Sequence, residues 1–423
     1  MTTPIQKMAP TTLPPDSRSL YRHGMMPKIN HDQAARLNLL ASLNAFVATT
    51  LSPGVKLAYE RQVMPKLTAA DVDLADPQVQ TGITLRKAMR RSPIYQAWAS
   101  LRRNIQEMNR QNARHIAIQQ MDALVDKAER LNTTKDTLRL EPKQVVPRYL
   151  AQADNHLQPG GYHTELKPGE MTAAATYDIA TFVTSMGSFG AKGDSGGRAV
   201  TGWLRQHFPD FKPKRILDLG SAHGNNTLPL ASAFPDAEVI ALDVGAPMLR
   251  YGHARAQSMG FTNVRFVQGS AEELNNSLGN FDWVQTTMVC HETSGPALRK
   301  MMKRIHSVLK PNGLTLHLEQ PNFTANTPVF DRFMSNWDAW YNNEPFWVQL
   351  HGMNMMQELR RAGFDSSQCF ESGVNPDIEP GTYPEWTSRI SRHDHEHEHA
   401  RSQKNGTGYN GEGWYLFGAW KKT

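Results

Sequence analysis

Cysteine is almost missing: only Cys290 and Cys369 occur in 423 residues, far apart in the chain. That excludes a disulfide framework and a cysteine-held iron–sulfur cluster. Long apolar runs are missing too. No stretch approaches the length that spans a bilayer, and the opening MTTPIQKMAPTTLPPDS lacks the apolar segment of a secretory signal. A cytoplasmic chain with no membrane partner is the expectation. Charge is present but uneven, with 22 Lys and Arg against 12 Asp and Glu in residues 1–150, and 24 against 28 in the remainder. The basic residues are spread through amphipathic patterns rather than massed in a block. They read as a solvated helical face, and the balance is against a nucleic-acid partner.

The length predicts more than one domain. Residues 1–30, rich in Pro, Thr and Ser, read as a disordered tail. Residues 31–150 have little strand-like alternation and read as a helical accessory domain. NHDQAARLNLLASLNAFVATTL opens on an Asn/Asp start and spaces Leu37, Leu40, Phe46 and Val47 helically, and a longer helical stretch begins at Ser92–Pro93. Residues 151–200 are dense in glycine and polar side chains, which predicts a lid or linker with one short helix near Ala173–Val183. Residues 201–423 alternate strand and helix. The strands are expected at Arg215–Leu219, Glu238–Leu242, Val264–Val267, Phe281–Val289 and Leu314–Glu319. The helices between them are expected at Leu228–Phe234, Ala246–Met259 and Ser294–Leu309. This is the pattern of an α/β, doubly wound, mostly parallel sheet. The terminal GWYLFGAWKK reads as an antiparallel edge strand.

The stretch KRILDLGSAHGNNTLPL, residues 214–230, puts a glycine turn between strand and helix, a common cradle for a nucleotide. A phosphate loop needs a Lys-Ser/Thr pair after its last glycine, and Asn225–Asn226–Thr227 stands there instead. A dinucleotide fingerprint needs three glycines, but only Gly220 and Gly224 are present, with Ala222 between them. Asp218 precedes the turn, and Asp243 closes the next strand, where an acid can take both hydroxyls of a ribose.

This set resembles the class I S-adenosylmethionine-dependent methyltransferases. The resemblance runs through VQGSAEEL, FDWVQTTMVCHET and HSVLKPNGLTLHLEQP, five ordered matches within residues 200–423. It implies a seven-stranded sheet with S-adenosyl-L-methionine as cofactor. The donor would be held by Asp218, Gly220, Ser221, Gly224 and Asp243, with Ser270, Ala271 and Glu272 around the adenine. Ala222 departs from the family's middle glycine. Ser270 stands where relatives often have an acid, a contact that Glu272 could supply.

Methyl transfer from a sulfonium is an in-line displacement, and a hydroxyl acceptor must also lose a proton. His291, after the fourth strand, has an unperturbed pKa suited to a base near neutral pH. Glu319, ending the fifth, is the second catalytic candidate. Trp337, Trp340, Tyr341, Phe346 and Trp347 surround Asp338, Asn342, Asn343 and Glu344, which predicts an aromatic-walled pocket for a small organic acceptor. Glu292, Trp340, Asn343 and Glu344 are expected to bind the substrate, with Tyr177 as the opposing wall. The accessory helices are expected to cover this pocket or form a homodimer contact. RNA or protein methylation and a non-catalytic donor-binding module are the alternatives. SRHDHEHEHARSQ, with His393, His395, His397 and His399, reads as a solvated loop, and no metal is assigned.

Overall fold

A computed structural model describes residues 23–377 and 408–423, apart from 77, 78, 80, 81, 133, 134 and 188. Residues 1–22 of the expected tail and the histidine tract at 393–399 lie outside the described residues.

Eight strands form one sheet: β1 (Leu138–Arg139), β2 (Arg215–Leu219), β3 (Glu238–Asp243), β4 (Val264–Gln268), β5 (Phe281–Thr287), β6 (Leu309–Glu319), β7 (Cys369–Val374) and β8 (Trp414–Trp420). Their spatial order is β1-β4-β3-β2-β5-β6-β8-β7. All neighbours are parallel except β8, which runs antiparallel to both β6 and β7. The central strands are near-continuous apolar runs because helices cover both faces of the sheet. Leu217, Ile240 and Val284 line one buried face, and Ile216, Val239 and Trp283 the other.

The α/β class, parallel core and preceding helices are as the sequence predicts. Two details differ. β8 is an inner strand, and the edge is β7, whose sequence CFESGV lacks the alternation that marks a half-buried strand. The eighth strand, β1, is only two residues long and comes from the stretch that reads as purely helical.

The helix His31–Phe46 starts in a capping box: the Asn30 side chain accepts from the Gln33 N–H at 2.9 Å, and Gln33 returns the bond to the Asn30 N–H at 3.0 Å. The 27-residue helix Pro93–Gln119 begins with proline at its first position, where no N–H is needed. It packs along Thr172–Ser185, so the short helix expected inside the lid is a buried element. Asn109 Nδ2 donates to the Ala180 carbonyl at 2.9 Å and joins the two. One core holds the amino-terminal helices, Thr172–Ser185 and the aromatic segment after β6. Tyr95 packs on Phe333 at 5.1 Å and Trp98 on Trp337 at 5.9 Å between ring centres. That shared core fixes the helices over the carboxyl ends of β2 and β5.

Candidate active site

β2 connects outward to β3 on one side, and β5 lies on the other. Ligands bind at such a switch point, beyond the carboxyl ends of the strands. There a cavity of about 970 Å³ opens, reaching from the glycine turn to Ser52, Lys56 and Trp98 of the amino-terminal helices. That is the upper end of the range for small-molecule sites.

The donor half is built on backbone geometry. Gly220 has φ +66°, and a Cβ there would lie 2.7 Å from Val289 Cγ2, so only glycine fits. Gly224 has φ +76° and abuts Phe266, shaping the turn without lining the cavity. Ala222 adopts φ +46°, the left-handed conformation that a glycine takes without strain. The Asp243 carboxylate holds this turn open. It accepts from the Gly245 N–H at 2.8 Å and the Ala222 N–H at 2.9 Å, which leaves lone pairs for two ribose hydroxyls. Burial raises the pKa of Asp243. Burial, together with the charge of Asp243, pushes Asp218 up to about 7, although the Thr227 hydroxyl donates to it at 2.5 Å. Ser221, Ser270, Ala271 and Glu272 all line the cavity as well. Tyr149 donates to Glu272 at 2.9 Å. Sequence reasoning missed this contact, because Tyr149 precedes the lid segment and carries no motif.

The acceptor half is a chain of imidazoles and carboxylates. Glu319, fully buried, accepts from the Cys290 N–H at 2.5 Å through Oε1 and from His291 Nδ1–H at 2.6 Å through Oε2. A carboxylate only accepts, so Nδ1 carries the proton and His291 Nε2 is left toward Glu344 Oε2, 3.6 Å away. Burial opposes a charge on His291, but Glu319 outweighs it and pushes the pKa up to about 9. The near-neutral base expected from the sequence is therefore corrected upward. Glu319 lies behind His291 and does not line the cavity, so the direct contact with a ligand expected of a catalytic group is not open to it.

His156 completes this cluster, and nothing local in its glycine-rich segment announces it. Its Nδ1 lies 2.8 Å from Glu344 Oε1 and its Nε2 3.1 Å from Glu292 Oε1. Burial opposes the charge, but Glu344 and Glu292 push His156 up to about 10. Burial works against the Glu344 charge in turn, and His156 and His291 hold its carboxyl below the ordinary range. His156, His291 and Glu292 bring metal-ligand types of atom within 4.8 Å of one another. Both nitrogens of His156 lie against carboxylates and His291 Nδ1 against Glu319, while Glu344 Oε2 makes no hydrogen bond and faces His291 Nε2 across 3.6 Å.

The aromatic segment divides differently from its sequence reading. Trp347 reaches the cavity and packs 4.8 Å from His291, ring centre to ring centre. Trp337 is core. Trp340, expected to bind substrate, lies away from the cavity beneath Arg86, 4.6 Å from ring centre to guanidinium. Asn343 is exposed at φ +55°, and its neighbour Asn342 faces the cavity instead, donating to Glu344 at 2.6 Å. Tyr177, Glu292 and Glu344 line the cavity as expected.

A family profile described as a methyltransferase domain matches residues 216–313. A demethylmenaquinone methyltransferase of Geobacillus kaustophilus is 33% identical over 192 residues, covering 41% of this chain and 76% of its own. An uncharacterized methyltransferase of Bacillus subtilis is 26% identical over 175 residues, 41% of this chain; the chain spans 64% of that relative's length. Among solved structures, human N-acetylserotonin methyltransferase in complex with S-adenosylmethionine aligns over 59% of this chain and 56% of its own. The TM-score is 0.37 and the identity 14%, too slight a likeness to bear on function.

Proposed function

The chain belongs to the class I S-adenosylmethionine-dependent methyltransferases, and we propose that it methylates a hydroxyl of a small organic acceptor, with His291 as the base. The observation that carries this reading is the buried His291–Glu319 pair at 2.6 Å, its free nitrogen turned to the cavity beside Glu344. Asp218, Gly220, Ser221 and Asp243 would hold the methionine and ribose parts of the donor, with Ser270, Ala271 and Glu272 at the adenine and Gly224 shaping the turn. Glu292, Glu344, Tyr177 and Trp347 would frame the acceptor.

A concave site under the amino-terminal helices suits a small molecule better than a nucleic acid or protein surface. Leu39, Phe46, Leu57, Leu101 and Met108 stay exposed on those helices, which supports a homodimer contact there. We also assign the enzyme to the cytoplasm. Among the described residues, no helix is long and apolar enough to cross a membrane.

The test is His291→Ala. Loss of a general base lowers kcat by about a hundredfold or more while donor affinity holds. The base form of His291 is the neutral one. Wild-type kcat should therefore rise with pH up to a limb near 9, moved downward by the positive sulfonium of the bound donor. The variant should lose that limb. Full turnover of His291→Ala across pH sinks the base assignment and favours a nucleophile that arrives unprotonated.

A further inference from the structure

The carboxylates of the acceptor cluster, buried or half-buried, have cationic partners: Glu319 has His291, Glu344 and Glu292 share His156, and Asp338 has Arg102. The buried cation that lines the same cavity, Arg110, has no such counterpart among the described residues. Arg110, on the helix Pro93–Gln119, is 2% exposed and lines the cavity. It forms no ion pair among the described residues. Its Nε donates to the His156 carbonyl at 3.2 Å and its Nη1 to Gln158 Oε1 at 3.1 Å, both neutral oxygens. Its guanidinium carbon stands 5.6 Å from the Tyr177 ring centre. Tyr162, Tyr177, Glu292 and Glu344 act on it only through space.

A guanidinium cannot escape by losing its proton, and a buried charge without a close counter-ion is costly. The surroundings hold it nonetheless. Gln158 is locked by bonds from its Nε2 to the Gly161 and Ala173 carbonyls, which turns its oxygen to Arg110. His156 and Leu157 both take left-handed φ values, 53° and 57°. That unusual backbone presents the His156 carbonyl to Arg110 while its ring serves the carboxylates. Of five guanidinium N–H donors these bonds use two, Nη2 makes no hydrogen bond among the described residues, and the residue lines the cavity.

We infer that Arg110 is the carboxylate receptor of this cavity: a ligand carboxylate completes its shell through paired N–H···O bonds. Tyr177 lies between Arg110 and His223 of the glycine turn, and the His156 carbonyl ties Arg110 to the acceptor cluster. The carboxylate therefore comes from one of two sources, the amino-acid end of the donor or the acceptor itself. The inference rests on the family's donor but not on His291 as base, and its test measures binding without turnover.

Calorimetry on the full chain compares S-adenosylhomocysteine, which carries the carboxylate, with methylthioadenosine, which lacks the amino-acid end. Benzoate is then titrated into the protein loaded with S-adenosylhomocysteine. If the donor supplies the group, Arg110→Gln loses about ten- to a hundredfold in S-adenosylhomocysteine affinity, the size of a charged hydrogen-bond loss, and methylthioadenosine binding stays unchanged. If the acceptor supplies it, donor affinities hold, and benzoate binds the wild type at least tenfold more tightly than the variant. Arg110→Lys keeps the charge without the fork and should fall between the two in whichever arm responds. It also carries both comparisons should the glutamine variant not fold. Changes below twofold in both arms overturn the inference. So does a wild type that binds methylthioadenosine as tightly as S-adenosylhomocysteine and ignores benzoate.

Discussion

Glu319→Gln changes one atom in a fully buried side chain, and the surrounding bonds dictate how the new amide must lie. In the wild type, Oε1 accepts from the Cys290 N–H at 2.5 Å and Oε2 from His291 Nδ1 at 2.6 Å. A glutamine has one acceptor to offer to these two donors. If its oxygen faces His291, its NH2 opposes the Cys290 N–H, and two buried donors meet at a cost of about 1–3 kcal/mol or more. The favoured orientation gives the oxygen to Cys290 and points the NH2 at Nδ1. His291 must then carry its proton on Nε2, the nitrogen that faces the cavity, and it cannot accept one there. The analogous carboxylate-to-amide change behind a catalytic histidine costs about 10⁴ in kcat in the serine-protease example. Here the expectation is a loss of about 10² to 10⁴. Single-turnover kinetics at saturating donor would measure it, with calorimetric donor affinity as control and Glu319→Asp as the partial rescue that keeps two acceptors. A folded Glu319→Gln enzyme within threefold of wild-type kcat would refute the tautomer argument and the base assignment with it.

Asp243→Ala should weaken S-adenosylhomocysteine binding about ten- to a hundredfold, through loss of charged hydrogen bonds to the ribose; unchanged affinity in a folded variant removes Asp243 from the donor site. A separate expectation concerns stability. His317 is buried between the Thr286 and Thr315 hydroxyls at 2.7 and 2.8 Å, and burial lowers its pKa to about 3. Its folded pKa lies below the unfolded value near 6.5, so its contribution is present above that value and lost as pH falls. Between pH 7 and pH 5 it should cost the wild type about 2 kcal/mol relative to His317→Gln. Urea unfolding at the two pH values checks this, and parallel losses in both proteins would contradict it.

The parallel core was legible because strands buried on both faces must be apolar almost throughout, as in Arg215–Leu219 and Glu238–Asp243. The donor turn was legible because local conformation dictates local sequence: Gly220 cannot carry a side chain against Val289. The acceptor half was less so. Its groups meet only through tertiary structure, and strands β2 to β6 separate His156 from Glu344 along the chain. Nothing in QADNHLQPGG distinguishes that histidine from a surface one. Arg110 is hidden for a similar reason, since a helix facing both a core and a cavity shows one amphipathic pattern for the two. The aromatic segment also has no local key. Trp337, Trp340 and Trp347 are alike in composition, and only the direction of each short helix assigns one to the core, one to Arg86 and one to the site. Asn342 and Asn343 differ only by position in the turn, and the left-handed φ falls on the second.

As the proposed base, His291 with a pKa near 9 looks ill-suited to neutral pH until the charge of the donor is included. A sulfonium carries one positive charge, and the thioether left after transfer carries none. With the donor seated, that charge favours the neutral form of His291, against the pull of Glu319. Transfer of the methyl would remove that charge, and Glu319 and Glu344 would again favour the cation. In the proposed reaction His291 would thus become a stronger base when the acceptor proton must leave. Placing Glu319 out of reach of the acceptor, fixed by the Cys290 N–H, keeps this pull constant while the ligands change. The same bookkeeping explains why His156 should not serve as the base in place of His291. Two carboxylates hold its proton, Glu344 at 2.8 Å and Glu292 at 3.1 Å, and both ring nitrogens are engaged. Of the two, His291 combines a carboxylate behind it with a nitrogen open to the cavity.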